Sequence, residues 1–156
     1  MMILFTISLN SYGAKKKVVT QNKKYVMWID AEANFARFSS PDTIDFYLTK
    51  LKALGFTHVI VDVRPISGEV LYESAYAPRM KEWQGAKRSD FDYMGHFIKK
   101  AHQLGIEVHA GLNVFVAGHN FYDRGLIYSK HPEWASMVYT PDKGIIPITQ
   151  EKQKYL

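Results

Sequence analysis

Apolar residues along this chain gather into runs of two kinds. Short, nearly continuous runs suit strands buried on both faces of a parallel sheet, whereas a three-and-four spacing suits helices packed on one side. Tyr25-Val-Met-Trp-Ile-Asp30 is the first short run, and it ends in a carboxylate. Phe56 to Val63 is the second and Ile106 to Val116 the third. Between the first two, Ser40 and Pro41 form an N-cap and first-turn pair. Ile44, Tyr47, Leu48 and Leu51 follow at helical spacing, and Gly55 stops the helix. A second helix is expected with Ser89 and Asp90 as its cap, Phe91, Met94, Ile98 and Ala101 on one face, and Gly105 at its end. The intervening segment, Arg64 to Arg88, shows no clear period, and beyond Ala117 the pattern dissolves into loop and partial helix without a visible fourth strand.

Both helices end on Leu-Gly and run straight into a β-rich stretch, at Leu54-Gly55-Phe56 and Leu104-Gly105-Ile106. Repeated junctions of this kind predict β/α units with right-handed crossovers, and hence parallel strands. The expected fold class is α/β, with about three β/α units.

Functional loops of a parallel α/β fold leave the C-terminal ends of the strands. The first strand there delivers Asp30, Glu32 and Asn34. The second delivers Asp62 and Arg64, and its loop adds Glu69, Tyr72, Tyr76, Arg79 and Trp83. The third delivers His109 and Asn113, and its loop adds His119, Asn120, Tyr122, Asp123 and Arg124. Carboxylates, amides, an arginine and aromatic rings suit a polyhydroxylated ligand, because sugar rings offer flat C–H faces as well as hydroxyls that need paired donors and acceptors. Plainer readings stand beside this one. Asp30 and Asp62 could serve only as ion-pair partners of Arg64 or Arg37, and His58 and His109 as satisfied core histidines. Trp28 reads as core rather than as a ligand platform, and Trp83 reads equally well either way.

Charge narrows the choice of partner. The net charge is +5, yet Lys15, Lys16, Lys17, Lys23 and Lys24 fall in a leading stretch without acidic residues, and setting them aside leaves fifteen charges of each sign. No basic groove is implied, and no nucleic-acid partner is expected. With no cysteine, neither disulfides nor thiolate metal sites are available. His109, His119 and His131 lack the i,i+4 spacing of a helical metal pair, so no metal site is expected. No glycine-rich phosphate loop and no nucleophile elbow is present, which leaves no cofactor to expect and removes the usual support for nucleotide or serine-hydrolase chemistry. Met2 to Leu9 is a short apolar run, followed by small and polar residues. Residues 1–14 resemble a signal peptide too short to span a membrane, residues 15–24 form a basic polar lead-in, and a secreted, periplasmic or cell-envelope location is expected.

Four collinear segments resemble the N-terminal part of the glycosyl-hydrolase-like 10 family, a group of secreted bacterial (β/α)8 proteins. They are Val26 to Asn34, Leu54 to Tyr72, Gly105 to Asn113, and His131-Pro-Glu-Trp134. The resemblance implies a TIM barrel acting on poly- or oligosaccharides, of which residues 25–156 form an incomplete barrel domain. A whole barrel needs about 250 residues, and this chain has 156. The family's decisive carboxylates are expected on the fourth and later strands, beyond Leu156. On this reading Asp30, Glu32, Asn34, Asp62, Arg64, Glu69, Trp83, His109 and Asn113 are substrate-pocket residues, and the catalytic pair is unassigned. The chain alone is expected to be inactive and poorly stable unless it self-associates or pairs with the missing half. A non-catalytic carbohydrate-binding or structural module is the alternative.

Overall fold

The computed structural model describes residues 23–148. The signal-peptide stretch and most of the basic lead-in lie outside the described residues. The chain is a mixed α/β domain built on a three-stranded parallel sheet. Its strands β1 (Val26–Ile29) and β2 (His58–Arg64) are joined through helix α1 (Pro41–Ala53). A two-stranded hairpin, β3 (Glu82–Trp83) and β4 (Ala86–Lys87), precedes helix α2 (Tyr93–Gln103) and strand β5 (Glu107–Leu112). After them come a single helical turn α3 (Ile127–Lys130) and a separate hairpin of β6 (Met137–Thr140) and β7 (Gly144–Pro147).

The parallel sheet runs β1-β2-β5, with both outer strands paired to β2. No fourth parallel strand lies among the described residues. Helix α1 begins where expected. The Ser40 side chain accepts the Thr43 N–H, Thr43 Oγ1 accepts the Ser40 N–H, and Pro41 fills the first turn. Helix α2 starts later than expected, with Asp92 as cap accepting the Gly95 N–H at 2.9 Å. Both residues proposed for that cap are engaged elsewhere. Ser89 donates through its backbone and its hydroxyl to the Ser39 carbonyl, and Asp90 pairs with Arg79 at 3.0 Å. The buried face of α2 is therefore Tyr93, Phe97 and Ala101, and Ile98 is exposed.

Side chains alternate across the sheet. Met27, Ile29, Val59, Val61 and Val108 face the helices and join Ile44, Leu48, Phe97 and Ala101 in the core. Arg88 is sandwiched in this layer, 4.3 Å from the Phe35 ring centre and 4.2 Å from that of Tyr93. Asp45 ties α1 to α2 through His96 at 2.8 Å and Lys100 at 3.0 Å. The opposite sheet face carries Trp28, Ile60 and His109 in one row, and no helix among the described residues covers it. Trp28 is 62% exposed. Its assignment to the core is therefore corrected: only the helix-facing half of β1 is buried.

Loops over the C-terminal end of the sheet pack tightly. Gly68 (φ +76°) sits where a Cβ would overlap the backbone of Ala117 and Gly118, whereas Gly144 (φ +72°) in the β6–β7 turn has open space around it. Gly144→Ala should cost only the left-handed backbone strain, about 1–2 kcal/mol. Gly68→Ala should add overpacking to that strain, for a total of roughly 2–5 kcal/mol. Urea unfolding of the two variants measures the difference, and equal losses would contradict the loop packing described here.

Candidate functional site

Three carboxylates meet where β1 and β2 end. Asp30 follows the last residue of β1, and its Oδ1 accepts the Ala33 N–H at 2.6 Å, which closes a tight turn. That turn returns Glu32 toward β2, and Glu32 Oε1 accepts the Ile66 N–H at 2.9 Å. Asp62 projects from β2 on the face opposite the helices and is 7% exposed. Carboxylate oxygens from Asp30, Glu32 and Asp62 lie within 4.8 Å of one another.

This trio forms one wall of a cleft of about 620 Å³. The remaining walls include Trp28, Ile66, Trp83, Gln84, Asn113 and Tyr122. Trp83 is largely buried and meets Tyr122 edge-on with ring centres 4.9 Å apart, so it offers the cleft only part of its ring. It is held by the β3–β4 hairpin, whose turn residues Gln84 and Gly85 both have positive φ (47° and 86°). Asn113 is fixed at the end of β5, with its backbone N–H and side-chain amide both donating to the Arg64 carbonyl.

Burial dominates the electrostatics. It pushes the Glu32 carboxyl up to about 7, and the negative charges of Asp30 and Asp62 act in the same direction. It likewise raises Asp62 to about 6, with Asp30 adding repulsion. No ion pair among the described residues joins Asp30 or Asp62 to Arg64 or Arg37, so the ion-pair reading of these two aspartates fails here. Arg37 instead donates to the Asn34 side chain at 3.1 Å.

Five of the nine sequence-derived candidates, Asp30, Glu32, Asp62, Trp83 and Asn113, come together in this cleft. The other four sit elsewhere. Asn34 donates to the Asp30 carbonyl and faces the apolar groove between β1 and α1. Arg64 lies past a register shift in the β2–β5 pairing and opens onto a different hollow, with Tyr76, His131 and Trp134. Glu69 is buried against Arg124 at 3.2 Å, and Arg124 also binds Glu82 at 2.8 Å. That chain of contacts braces the Trp83 hairpin against the loop after β5. His109 lies farther back on the open sheet face, stacked on His58 with ring centres 5.6 Å apart. Ala33, Ile66 and Gln84 also line the cleft without a signal in the sequence beyond the glycine that follows Gln84, and Trp28 lines it although it reads as core.

A carboxyl whose pKa is higher in the folded than in the unfolded state destabilises the fold as pH rises from its ordinary value through its raised one. For Glu32 that window runs from the usual 4.5 to about 7. Glu32→Gln keeps an acceptor for the Ile66 N–H and removes the half-buried charge. It should melt higher than the unmodified chain at pH 8 and indistinguishably from it at pH 4. Thermal melts across this range provide the check, and a constant offset between the two chains would contradict the burial of Glu32.

An S-layer-related protein of Niallia circulans is 29% identical over 140 residues, which cover 85% of this chain. The chain spans only 9% of that relative's length. No solved structure matches. The sequence profile described as glycosyl hydrolase-like 10 matches residues 23–150, and the chain belongs to that family.

Proposed function

We propose that this chain forms part of the carbohydrate-binding pocket of an extracellular or cell-envelope glycosyl hydrolase-like protein, and that a sugar ring occupies the cleft at the ends of β1, β2 and β5. Membership of the family supports a carbohydrate-related role. The carrying observation is the composition of the cleft: exposed Trp28 and the edges of Trp83 and Tyr122 stand beside three carboxyls and the amides of Asn113 and Gln84. The exposed Trp28 ring stacks on a sugar C–H face, Trp83 and Tyr122 flank it, and the carboxylates and amides pair with hydroxyls. Part of a (β/α)8 barrel accounts for the consecutive parallel order, the helices on one face and the bare opposite face, which would line the barrel interior. The S-layer-related relative, together with the absence of any described helix able to cross a membrane, is compatible with an extracellular or cell-envelope setting.

Catalysis is assigned elsewhere in the whole protein. The family resemblance expects the acid and the nucleophile or base on the fourth and later barrel strands, and the parallel sheet among the described residues holds three strands. Asp30, Glu32 and Asp62 act on this reading as hydroxyl-binding groups. The alternative is a carbohydrate-binding module without turnover.

Calorimetric titration of the chain with a panel of neutral and amino-sugar oligosaccharides tests the proposal. At least one oligosaccharide should bind, and Trp28→Ala should weaken binding about tenfold or more, or roughly 1.4 kcal/mol. Absence of binding across the panel, or affinity indifferent to both Trp28→Ala and Asp62→Asn, would sink it. Turnover by the chain that Asp62→Asn abolishes would overturn the assignment of catalysis elsewhere.

A further inference from the structure

A second cluster of ligating side chains lies on the same open sheet face as the cleft but at the other end of the strands. His58 opens β2 and Glu107 opens β5, and the two are direct partners in the parallel register. His109 follows two residues along β5 on the same face, its ring stacked on that of His58 at 1° between planes. Ligand atoms from all three residues lie within 4.8 Å of one another. Asp62 is four residues farther along β2, roughly 13 Å at the usual rise of a strand, so the cluster is separate from the sugar cleft.

The His58 ring is held in place by Thr57, whose Oγ1 lies 2.7 Å from Nδ1 and also bonds the backbone of Tyr25. When the ring donates this bond, Nε2 presents a lone pair to a metal ion. Nε2 is buried, and His58 as a residue is only 6% exposed. It lies 3.2 Å from Glu107 Oε2, yet forms no hydrogen bond among the described residues. A cation between this buried nitrogen and the Glu107 carboxylate would satisfy both.

We propose that His58, Glu107 and His109 bind one divalent transition-metal ion of the zinc class, with water in the fourth position, and that the ion staples the outer strand β5 to β2. Ligands bound tetrahedrally at about 2.0–2.2 Å stand roughly 3.3–3.6 Å apart. The His58–Glu107 separation of 3.2 Å is already near that edge. Glu107 and His109 are both exposed, so small rotations of their side chains complete the set. Two imidazoles and one carboxylate select zinc or its neighbours over magnesium or calcium, which prefer all-oxygen shells. The Thr57 hydroxyl supplies the outer hydrogen bond that orients a metal-binding histidine.

The test uses the untagged full chain, stripped with a chelator and dialysed, then titrated with zinc chloride in a calorimeter. One zinc per chain should bind, and a hundredfold excess over the dissociation constant should raise the melting midpoint by at least about 3 °C. Cobalt in place of zinc should give the visible absorption of a tetrahedral centre. His109→Ala and Glu107→Gln change exposed residues, which protects the fold, and each should weaken zinc binding tenfold or more. His131→Ala, which removes a histidine that pairs with Glu133 and stacks on Trp134, should leave binding unchanged. Absence of zinc binding, or binding undiminished in His109→Ala, overturns the proposal.

Discussion

Side-chain alternation across the parallel sheet is the constraint from which the rest of the structure follows. Alternate residues of β1 and β2, together with Val108 of β5, are claimed by the helix layer, where they pack against Ile44, Leu48, Phe97 and Ala101. The residues between them have no choice of face. Trp28, Ile60, Asp62 and His109 must therefore lie on the opposite side, whatever their polarity. A one-residue slip of β2 against its neighbours would place Asp62 in the hydrophobic layer and Val61 in the cleft. Burial of Val59 and Val61 at the core thus fixes where the carboxylates appear.

Desolvation then gives those carboxylates their character. Glu32 and Asp62 are held close to each other and to Asp30 without a cationic partner among the described residues, and both hold their protons to higher pH than in water. Such crowding survives because backbone groups pin the carboxyls in place: Asp30 is bonded to the Ala33 N–H and Glu32 to the Ile66 N–H. The loops above the sheet are braced in turn by Glu69, Arg124 and Glu82, and by the close approach of Gly68 to Ala117. Order in the cleft is therefore a property of the loop network as much as of the strands. A ligand that supplies hydroxyl hydrogen bonds to the trio would offset the repulsion among its carboxylates.

Much of the frame is legible in the chain because it depends on local chemistry. Ser40-Pro41 marks the start of α1, and the two Leu-Gly junctions mark the entries to β2 and β5. The misreadings have a common cause, which is competition from distant partners. Ser89 and Asp90 look like caps, but Ser39 and Arg79 engage them first. Arg64 and Glu69 belong to the right loops, but a register shift and an ion pair carry them away from the cleft. Trp28 was placed in the core on the assumption that β1 is covered on both sides. His58, Glu107 and His109 escape any search for helical spacing because strand pairing, not sequence proximity, brings them together.

The central claim is that a sugar occupies the cleft beside Asp30, Glu32 and Asp62, and the chain's three tryptophans provide a direct readout. Trp28 and Trp83 line that cleft, whereas Trp134 lines other hollows beyond the loop after β5. Their indole N–H resonances can be followed by NMR while an oligosaccharide is added. The account predicts that the Trp28 and Trp83 signals move in a saturable way while that of Trp134 stays in place. Movement of Trp134 alone, or of none of the three, would contradict it.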